Sequence, residues 1–559
     1  MVSMVSVASE ATERVTLRPT ARLSRWGWPL AAILVAGIVV VPVALLSVSI
    51  LDPNLEVWRQ QWETRLPGQL LQTFVLLVGV GTGSLVLGSG LAWLVSAYRF
   101  PGSRLFGWLL IAPLAMPGYV LGFVTLSVIG FTGPIQGWWR DVFGQEAWFP
   151  EVRSIGGAIV VFTLVLYPYV FLLARAALAD QAGAAFEVAR SLGASPMEAA
   201  VRVALPLLRP ALAGGVAVVM METLTDFATV QYFGVDTVSV GVFRIWTGAF
   251  DRETAAEFAT LVLVVALAIL AAERLLRGRA RFGQAAGEAS GLAIQPLSGA
   301  RAWLASGVCA AVLLAAFGAP VVQLLAWAVA ELTGPRGTPQ MGRFFEFLGN
   351  SALLAGVTAL VAVTLAVVVA NASRFSQSRV IAPAARLTAV GYAVPGPVIA
   401  IGVVVALVTV DRVLGIIGLG LPGAVATGSF LGLVYAYSVR FLAPGLQAVD
   451  AGLAQVPEEI TASARSLGRR PVSVIRRIHV PLGRTSMLTA AVLVAVDALK
   501  ELPIVFLLRP LGYDTLSVWT YNLASESRFE QAALPAIAII VVAIIPVGVL
   551  SRRLAGERH

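Results

Sequence analysis

The sequence predicts an all-α polytopic membrane protein with twelve transmembrane helices, built as two six-helix repeats related by a pseudo-twofold axis. Hydrophobic residues make up 58% of the 559 residues, charged residues make up 13%, and the mean hydropathy is +0.84. Such a composition is typical of proteins that cross the bilayer many times. Apolar runs long enough to span it recur along the chain, and one motif occurs twice, half a chain apart.

The repeated motif is an ARSLG segment followed by a proline. Three residues keep their relative positions in both copies, and each lies 275 positions before its counterpart: Arg190 and Arg465, Gly193 and Gly468, Pro206 and Pro481. Because an ordinary loop between membrane helices does not repeat with its glycine and proline fixed, the motif indicates a duplicated unit.

The first copy predicts a helix–turn–helix elbow on a membrane surface. Residues 184–192 favour a helix, and Gly193 stands where helices commonly end in the left-handed conformation. The segment SPME, residues 195–198, is a capping box with proline at the first helical position, so a second short helix begins there. Pro206 is expected to end that helix before the next apolar run. The second copy has Arg470 followed by proline at this place and lacks the capping box.

Apolar segments of membrane length occur six times in each half. In the first half they lie near residues 28–51, 71–98, 105–130, 155–178, 207–232 and 255–276. In the second half they lie near residues 302–330, 351–372, 385–410, 421–441, 487–508 and 532–550. The placement of arginines favours an orientation with both termini in the cytoplasm, because most basic residues then lie in inward loops. Both elbows, each between the fourth and fifth span of its half, then face the cytoplasm.

These segments predict three regions in the chain. A first half covers residues 1–276, with its elbow at about 180–206. A polar cytoplasmic linker follows at 277–300. The second half covers residues 301–559, with its elbow at about 455–481.

Acidic residues stand at matching places within two of the predicted spans. Glu222 and Asp226 lie one helical turn apart in the fifth span, which places them on one helix face, and Asp497 and Glu501 occupy the equivalent positions of the second repeat. Carboxylates at membrane depth are costly and normally face a bundle interior or a watery path. We predict that these four line a translocation path. Lys500, the only lysine of the chain, is expected to pair with Asp497 and partly neutralise the cluster. A purely structural role for these charges is the alternative.

Several classes of function lack their motifs here. The sequence contains no G-x-x-x-x-G-K-[ST] phosphate loop, no H-E-x-x-H and no G-x-S-x-G. A single cysteine, Cys309, and two histidines, His479 and His559, leave neither a disulfide nor a histidine-based metal cluster. The basic residues are dispersed between apolar runs, which argues against nucleic-acid binding despite the net charge of +9.

The elbow resembles a known motif. Glu187-Val188-Ala189, then Gly193, then Leu205-Pro206 look like the E-A-A…G…L-P loop of bacterial ABC-importer permeases. The resemblance implies that each elbow is a coupling helix that docks on an ATP-hydrolysing subunit, through Glu187, Ala189, Arg190, Gly193 and Pro206 in the first copy and Arg465, Gly468 and Pro481 in the second. Two departures stand out: Val188 replaces the first alanine, and the second copy has Ala462 where Glu187 aligns.

The segments after the elbows sharpen this resemblance. ETLTDFATVQYFGVDT and KELPIVFLLRPLGYDTLSVWTYNLASE are similar to the two halves of fused ferric-iron permeases. The family implies a bacterial inner-membrane subunit that binds two copies of a cytoplasmic ABC ATPase and receives ferric ion from a periplasmic binding protein. ATP and Mg²⁺ then belong to the partner subunits, and the chain itself is expected to bind no cofactor and to be no enzyme.

Other substrates and one other mechanism stay open at this point. Carboxylates suit a hard, oxygen-seeking cation, but no metal ligands are assigned, and thiamine is also a cation. Fused permeases for thiamine and for phosphonates share the architecture. An ion-coupled secondary transporter is also often built from twelve spans and repeats, although such a carrier has no need for two matched docking elbows.

Overall fold

The structure is a bundle of long helices joined by short ones. The computed structural model describes residues 20–51, 53–179, 181–249, 252–277, 294–334, 339–416, 418 and 428–556. The first half forms helices α1 (Thr20–Val48), α2 (Leu55–Thr64), α3 (Leu66–Ala97), α4 (Ser103–Leu109), α5 (Gly118–Ile129), α6 (Pro134–Phe143), α7 (Ile155–Ala179), α8 (Gln181–Ser191), α9 (Pro196–Ala199), α10 (Leu205–Thr225), α11 (Ala228–Tyr232), α12 (Val238–Arg244) and α13 (Arg252–Arg277). The second half forms α14 (Gly299–Leu313), α15 (Ala319–Thr333), α16 (Met341–Phe375), α17 (Ile381–Thr388), α18 (Gly396–Ile416), α19 (Phe430–Ala454), α20 (Glu458–Ser466), α21 (Pro471–Val474), α22 (Val480–Lys500), α23 (Pro503–Leu508), α24 (Leu516–Ser525) and α25 (Phe529–Gly556).

All twelve predicted spans overlap helices, which confirms the all-α polytopic class. Within the described residues, ten helical segments are long and apolar enough to cross a membrane, and two shorter apolar helices lie at Ser103–Ala115 and Phe529–Ile545. The tenth span was predicted too early, at 421–441. Its helix, α19, runs on to Ala454 because the chain stays helical beyond its apolar run. Residues 421–427 of that prediction lie outside the described residues.

The duplication seen in the sequence is also present in three dimensions. Helices α7 and α19 begin and end at equivalent positions of the repeat, with the same offset as the ARSLG motif, and so do α10 and α22. Equivalent hydrogen bonds occur in the two halves as well. The backbone N–H of Val238 donates to Thr73 Oγ1 at 3.0 Å, and that of Leu516 donates to Ser351 Oγ at 2.9 Å.

The two halves interlock, because the first long helix of each packs on the other half. Helix α1 lies against α16, α17 and α18, where the Tyr435 hydroxyl of α19 donates to the Ile38 carbonyl at 2.9 Å. Helix α15 lies against α5 of the first half and against α25. There the Trp327 ring stacks against Phe123 and Phe529, with ring centroids 6.3 and 5.9 Å away, and those two rings also stack on each other. The halves therefore share one continuous core.

Four of the predicted continuous spans are broken in the middle, which corrects the sequence analysis. The third span bends at Pro117 and the ninth at Pro395, and in each a 3-10 turn precedes the proline. The fifth span changes to extended backbone at Asp226, with φ −81° and ψ 114°, and the eleventh does so at Glu501, with φ −66° and ψ 126°. Hydropathy alone does not reveal these breaks, because each lies inside a predicted apolar span.

The linker between the halves falls mostly outside the described residues. Residues 278–293 are not described, and neither are the N-terminal arginines up to Arg18 or His559. The end of the linker forms a short parallel pairing, in which β2 (Gln295–Pro296) lies beside β1 (Tyr98–Arg99) after α3. The start of the second half is therefore held against the first.

Candidate functional site: two elbows and a central cavity

Both elbows turn at a glycine in the left-handed conformation, as predicted. The φ angle is 95° at Gly193 and 75° at Gly468. In the first elbow the N–H of Ala194 donates to the Ala189 carbonyl at 3.1 Å, and the equivalent bond of the second elbow has the same length. This backbone hydrogen bond is the one that closes a helix in front of a left-handed glycine. Arg190 braces the first turn through a 2.7 Å bond from Nη1 to the Ala194 carbonyl.

The Ser195 half of the predicted capping box is confirmed, whereas the Glu198 carboxylate accepts from Arg202 instead, and the predicted end of the second elbow helix is wrong. Ser195 Oγ accepts from the N–H of Glu198 at 3.2 Å, whereas Arg470 makes no side-chain cap. After α9 the backbone stays helical through a π turn at Ala200–Ala204 and continues as α10. The N–H of Leu205 reaches back to the Ala200 carbonyl in this turn, which shifts the hydrogen-bond register just before Pro206 and accommodates its ring. Pro481 follows an equivalent π turn, so both elbows continue directly into membrane helices.

Each elbow presents a leucine to solvent beside its glycine. Leu192 is 83% exposed and Leu467 is 81% exposed, and the two occupy equivalent positions of the repeat. Around the first, Glu187, Ala189 and Arg190 lie half-buried on α8, while Arg465 is exposed near the end of α20. The leucines belong to the ARSLG motif, but the sequence analysis did not single them out. Exposed apolar side chains often mark docking surfaces, and two of them at equivalent positions suit a partner that is itself symmetric.

The elbows are attached to the bundle in different ways. In the first half, Trp93 of α3 packs edge-on against Phe186 of α8, with ring centroids 5.3 Å apart. In the second half Thr461 takes the position equivalent to Phe186 and instead contacts the Nε2 atom of the fully buried His479 at 2.9 Å. Asn371 Oδ1 contacts the other ring nitrogen of this histidine. An apolar joint therefore anchors one elbow, and a hydrogen-bonded joint anchors the other.

All five residues predicted for the translocation path line one cavity between the halves. The prediction that Glu222 and Asp226 share one helix face is wrong, because α10 ends at Thr225. The helix breaks nevertheless turn both carboxylates toward the same space. The cavity is also lined by residues of the third, fourth, ninth and tenth spans, among them Pro117, Tyr119, Tyr169, Tyr392 and Arg440.

The two carboxylates at the helix breaks cap the short helices that follow. Asp226 accepts from the Thr229 N–H at 2.8 Å and from the Thr229 hydroxyl at 2.6 Å. Glu501 Oε1 accepts from the Ile504 N–H at 3.1 Å. Each negative charge therefore lies at the positive end of a helix and holds the break in place. The signal in the sequence is a cap residue within an apolar run, followed in the second half by Pro503.

The other two carboxylates each contact a cation. Lys500 Nζ lies 2.8 Å from Asp497 Oδ1, which confirms the predicted pair. Arg440 Nη2 lies 3.5 Å from Glu222 Oε1, and this ion pair joins the tenth span to the fifth span of the other half. The sequence analysis missed Arg440. A charged residue inside an apolar span was the available signal, but its partner is far away in the chain.

Aromatic side chains of both halves pack together beside residues that line the central cavity. Phe243 stacks on Phe227 at 4.1 Å between ring centroids and contacts Phe506 at 5.1 Å. The Tyr521 hydroxyl donates to Gln231 Oε1 at 2.7 Å across the two halves. A second cavity, lined in part by Gln231 and by Tyr232, lies beyond this contact. An aromatic layer with a hydrogen bond across the two halves therefore follows directly on the helix breaks at the central cavity.

The cavity holds no ready-made cluster of conventional metal ligands. Over the part of the chain that the structure describes, no three His, Cys, Asp or Glu side chains converge closely enough to hold a metal ion. The arrangement is a polar chamber at the meeting point of four broken helices, a place where multi-span transporters bind what they carry.

Comparisons with known proteins agree with this architecture. Residues 84–277 match the family described as binding-protein-dependent transport system inner membrane component. The Fe(3+)-transport system permease protein FbpB 2 of Haemophilus influenzae is 25% identical over 87% of this chain and 90% of its own length. The sulfate transport system permease protein CysW of Escherichia coli is 32% identical over 36% of this chain and 68% of its own. A putative 2-aminoethylphosphonate transport system permease protein, PhnU, of Salmonella typhimurium is 28% identical over 40% of this chain and 81% of its own.

Proposed function

This chain belongs to the family of binding-protein-dependent transport system inner membrane components, and from that premise we propose that it is the permease of an ATP-driven importer for ferric iron. Its relative with similarity along most of both chains carries that substrate in its name. Membership of this family also favours an importer over the ion-coupled secondary transporter.

The observation that carries the choice of substrate is the charge of the central cavity. Four carboxylates line it, at Glu222, Asp226, Asp497 and Glu501, against two cations, at Arg440 and Lys500. With all of them ionised the lining is net negative. Shorter relatives are named for sulfate and for 2-aminoethylphosphonate; such a lining repels sulfate and the phosphonate group, although the amine of the second compound is cationic. A hard trivalent cation matches carboxylate oxygens.

The aromatic rings of the same cavity suit an organic cation. Tyr119, Phe162, Tyr169 and Tyr392 contribute aromatic rings to the lining. Aromatic faces attract organic cations, so thiamine is the second candidate. Uptake of labelled iron, thiamine, sulfate and 2-aminoethylphosphonate, measured in a strain that lacks this chain and again after its return, separates the four. We expect only iron uptake to depend on the chain. Restored uptake of any other compound in its place contradicts the iron assignment.

ATP hydrolysis is proposed to occur on two partner subunits that dock on the elbows in the cytoplasm. The exposed leucines Leu192 and Leu467 support this docking, because they repeat with the pseudo-twofold symmetry of the halves. Replacing either by serine should weaken co-purification of the ATPase and lower uptake. Leu511, which is fully exposed in the turn after α23, is the control, since α22 leads away from the elbow before that turn. Leu511→Ser should retain both properties. Equal effects of all three changes contradict the docking assignment.

The opposite end is proposed to receive the periplasmic binding protein. Helices α2 and α6 lie there, and the tryptophans Trp62, Trp138 and Trp148 are largely exposed. Both termini then lie in the cytoplasm of a bacterial cell, as the arginine distribution predicts. Binding of the purified partner to inverted and to right-side-out vesicles tests this orientation. Binding to inverted vesicles alone contradicts it.

A further inference from the structure

We infer that Tyr119 joins Asp226 and Glu501 in a transient ferric-ion site within the central cavity. The inference rests on the proposed function and deepens it by naming the ligands. Tyr119 lies in the first turn of α5, directly after the break at Pro117. Its side chain lines the cavity and is only 4% exposed, and its hydroxyl has no hydrogen-bond partner within the described part of the chain.

An unpartnered buried hydroxyl calls for an explanation. Burying such a group without a hydrogen bond is unfavourable, and native proteins contain few of them. Tyr167, a buried tyrosine on α7, shows the usual arrangement, because its hydroxyl donates to the Leu110 carbonyl at 2.9 Å. The phenol of Tyr119 is held in a polar chamber without such a bond, which points to a ligand that supplies the missing contact.

Glycines at the helix breaks leave room for the two carboxylates that share the cavity with this phenol. A Cβ atom on Gly118, the neighbour of Tyr119, would lie 2.9 Å from Asp226 Oδ2. A Cβ atom on Gly396 would lie 3.0 Å from Glu501 Oε1 and 3.3 Å from Thr225 Cγ2, so the two breaks meet at this glycine. The charges of Asp226 and Glu501 both act on Tyr119.

The three side chains supply the chemistry that a ferric ion prefers. Carboxylate and phenolate oxygens are hard donors, and phenolate is an established ligand of protein-bound iron. On binding, the phenol O–H bond breaks, its proton passes to water in the cavity, and the oxygen bonds to the metal. The site then carries one negative charge on each of three ligands, which balances the trivalent ion. Arg440 and Lys500 form ion pairs with Glu222 and Asp497, whereas Asp226 and Glu501 form no ion pair within the described residues, although the charge of Arg440 also acts on Glu501.

The site is tested with the full chain purified in lipid nanodiscs and titrated with ferric nitrilotriacetate. Phenolate bound to ferric ion absorbs visible light by charge transfer, so we expect a visible band that Tyr119→Phe abolishes. In cells the same variant should lower uptake of labelled iron about tenfold, because one ligand is lost. Its Tm should stay at or above that of the parent, because the deleted hydroxyl makes no hydrogen bond. Tyr167→Phe is the matched control and should keep the band while lowering the Tm.

The outcomes separate this inference from the proposed function. If the parent imports iron while Tyr119→Phe keeps both the band and the uptake, the site is wrong and the importer assignment stands. If Tyr119→Phe lowers the Tm as much as Tyr167→Phe does and the parent shows no band, the tyrosine is structural. If the parent imports no iron, the proposed function fails, and the ferric site fails with it.

Discussion

The ion pair between Arg440 and Glu222 gives the sharpest prediction about how the cavity is held together. The arginine side chain is 6% exposed, the glutamate side chain is 27% exposed, and the pair joins the two halves. Arg440→Met keeps most of the side-chain volume but removes the cation. Glu222 and the nearby Glu501 then face each other without compensation, and we expect the free energy of unfolding to fall.

The magnitude follows from the burial of the pair. Removing one partner of a buried ion pair costs about 3–5 kcal/mol, because the other charge is left unpaired. Since the glutamate retains contact with the cavity, the lower end, about 3 kcal/mol, applies here. Adding Glu222→Gln removes the carboxylate charge that Arg440→Met leaves unpaired. The double variant should therefore recover about half of the lost free energy of unfolding. Full recovery is not expected, because the charge of Glu501 also acts on Arg440.

A double-mutant cycle measures this coupling. The free energy of unfolding is determined by denaturant titration in mixed micelles for the parent, Arg440→Met, Glu222→Gln and the double variant. A stabilising role of the ion pair is refuted if the free energy of unfolding of Arg440→Met lies within about 0.5 kcal/mol of the parent's, as it does for an ordinary surface change. Strict additivity of the two single changes refutes it equally, because partners in contact do not act independently.

Three further substitutions test the second elbow, the ion pair between Asp497 and Lys500, and the proposal that the aromatic layer at Tyr521 closes the cavity. Gly468→Val places a β-branched residue at a φ of 75° and should abolish uptake and ATPase co-purification without loss of membrane insertion; normal values for both contradict this. Lys500→Met should lower uptake, and adding Asp497→Asn should restore part of it; no restoration excludes the pairing role. Tyr521→Phe removes the 2.7 Å bond to Gln231 and should raise ATPase activity without binding protein about fivefold; unchanged activity argues against a closing role.

The sequence predicted features that depend on local chemistry. The left-handed glycines, the Ser195 cap and the pair between Asp497 and Lys500 each involve residues within a few positions of one another, and the structure confirms all of them. The proline at 206 was misjudged, because a π turn absorbs its ring and the sequence does not reveal such a turn in advance. Local pattern is therefore a good guide to turns and caps in this chain.

Features that depend on distant partners were beyond the sequence. Arg440 was missed because its partner lies on a helix of the other half. The Tyr119 hydroxyl is conspicuous only once the structure shows that it makes no hydrogen bond within the described residues. Hydropathy indicates that α1 is apolar but not that it packs against the second half. The helix breaks were likewise not predicted, although a cap residue such as Asp226 within an apolar run is their signal in the sequence.

The central claim, that the cavity carboxylates conduct a ferric ion under control of the elbows, is tested most directly by measuring transport and ATP hydrolysis side by side. Asp226→Asn, Glu501→Gln and the parent chain are each reconstituted with the ATPase subunits and the binding protein in proteoliposomes. The account predicts that both variants lose most of the labelled-iron uptake while keeping ATPase activity in the absence of substrate. Unchanged iron uptake in both variants contradicts it.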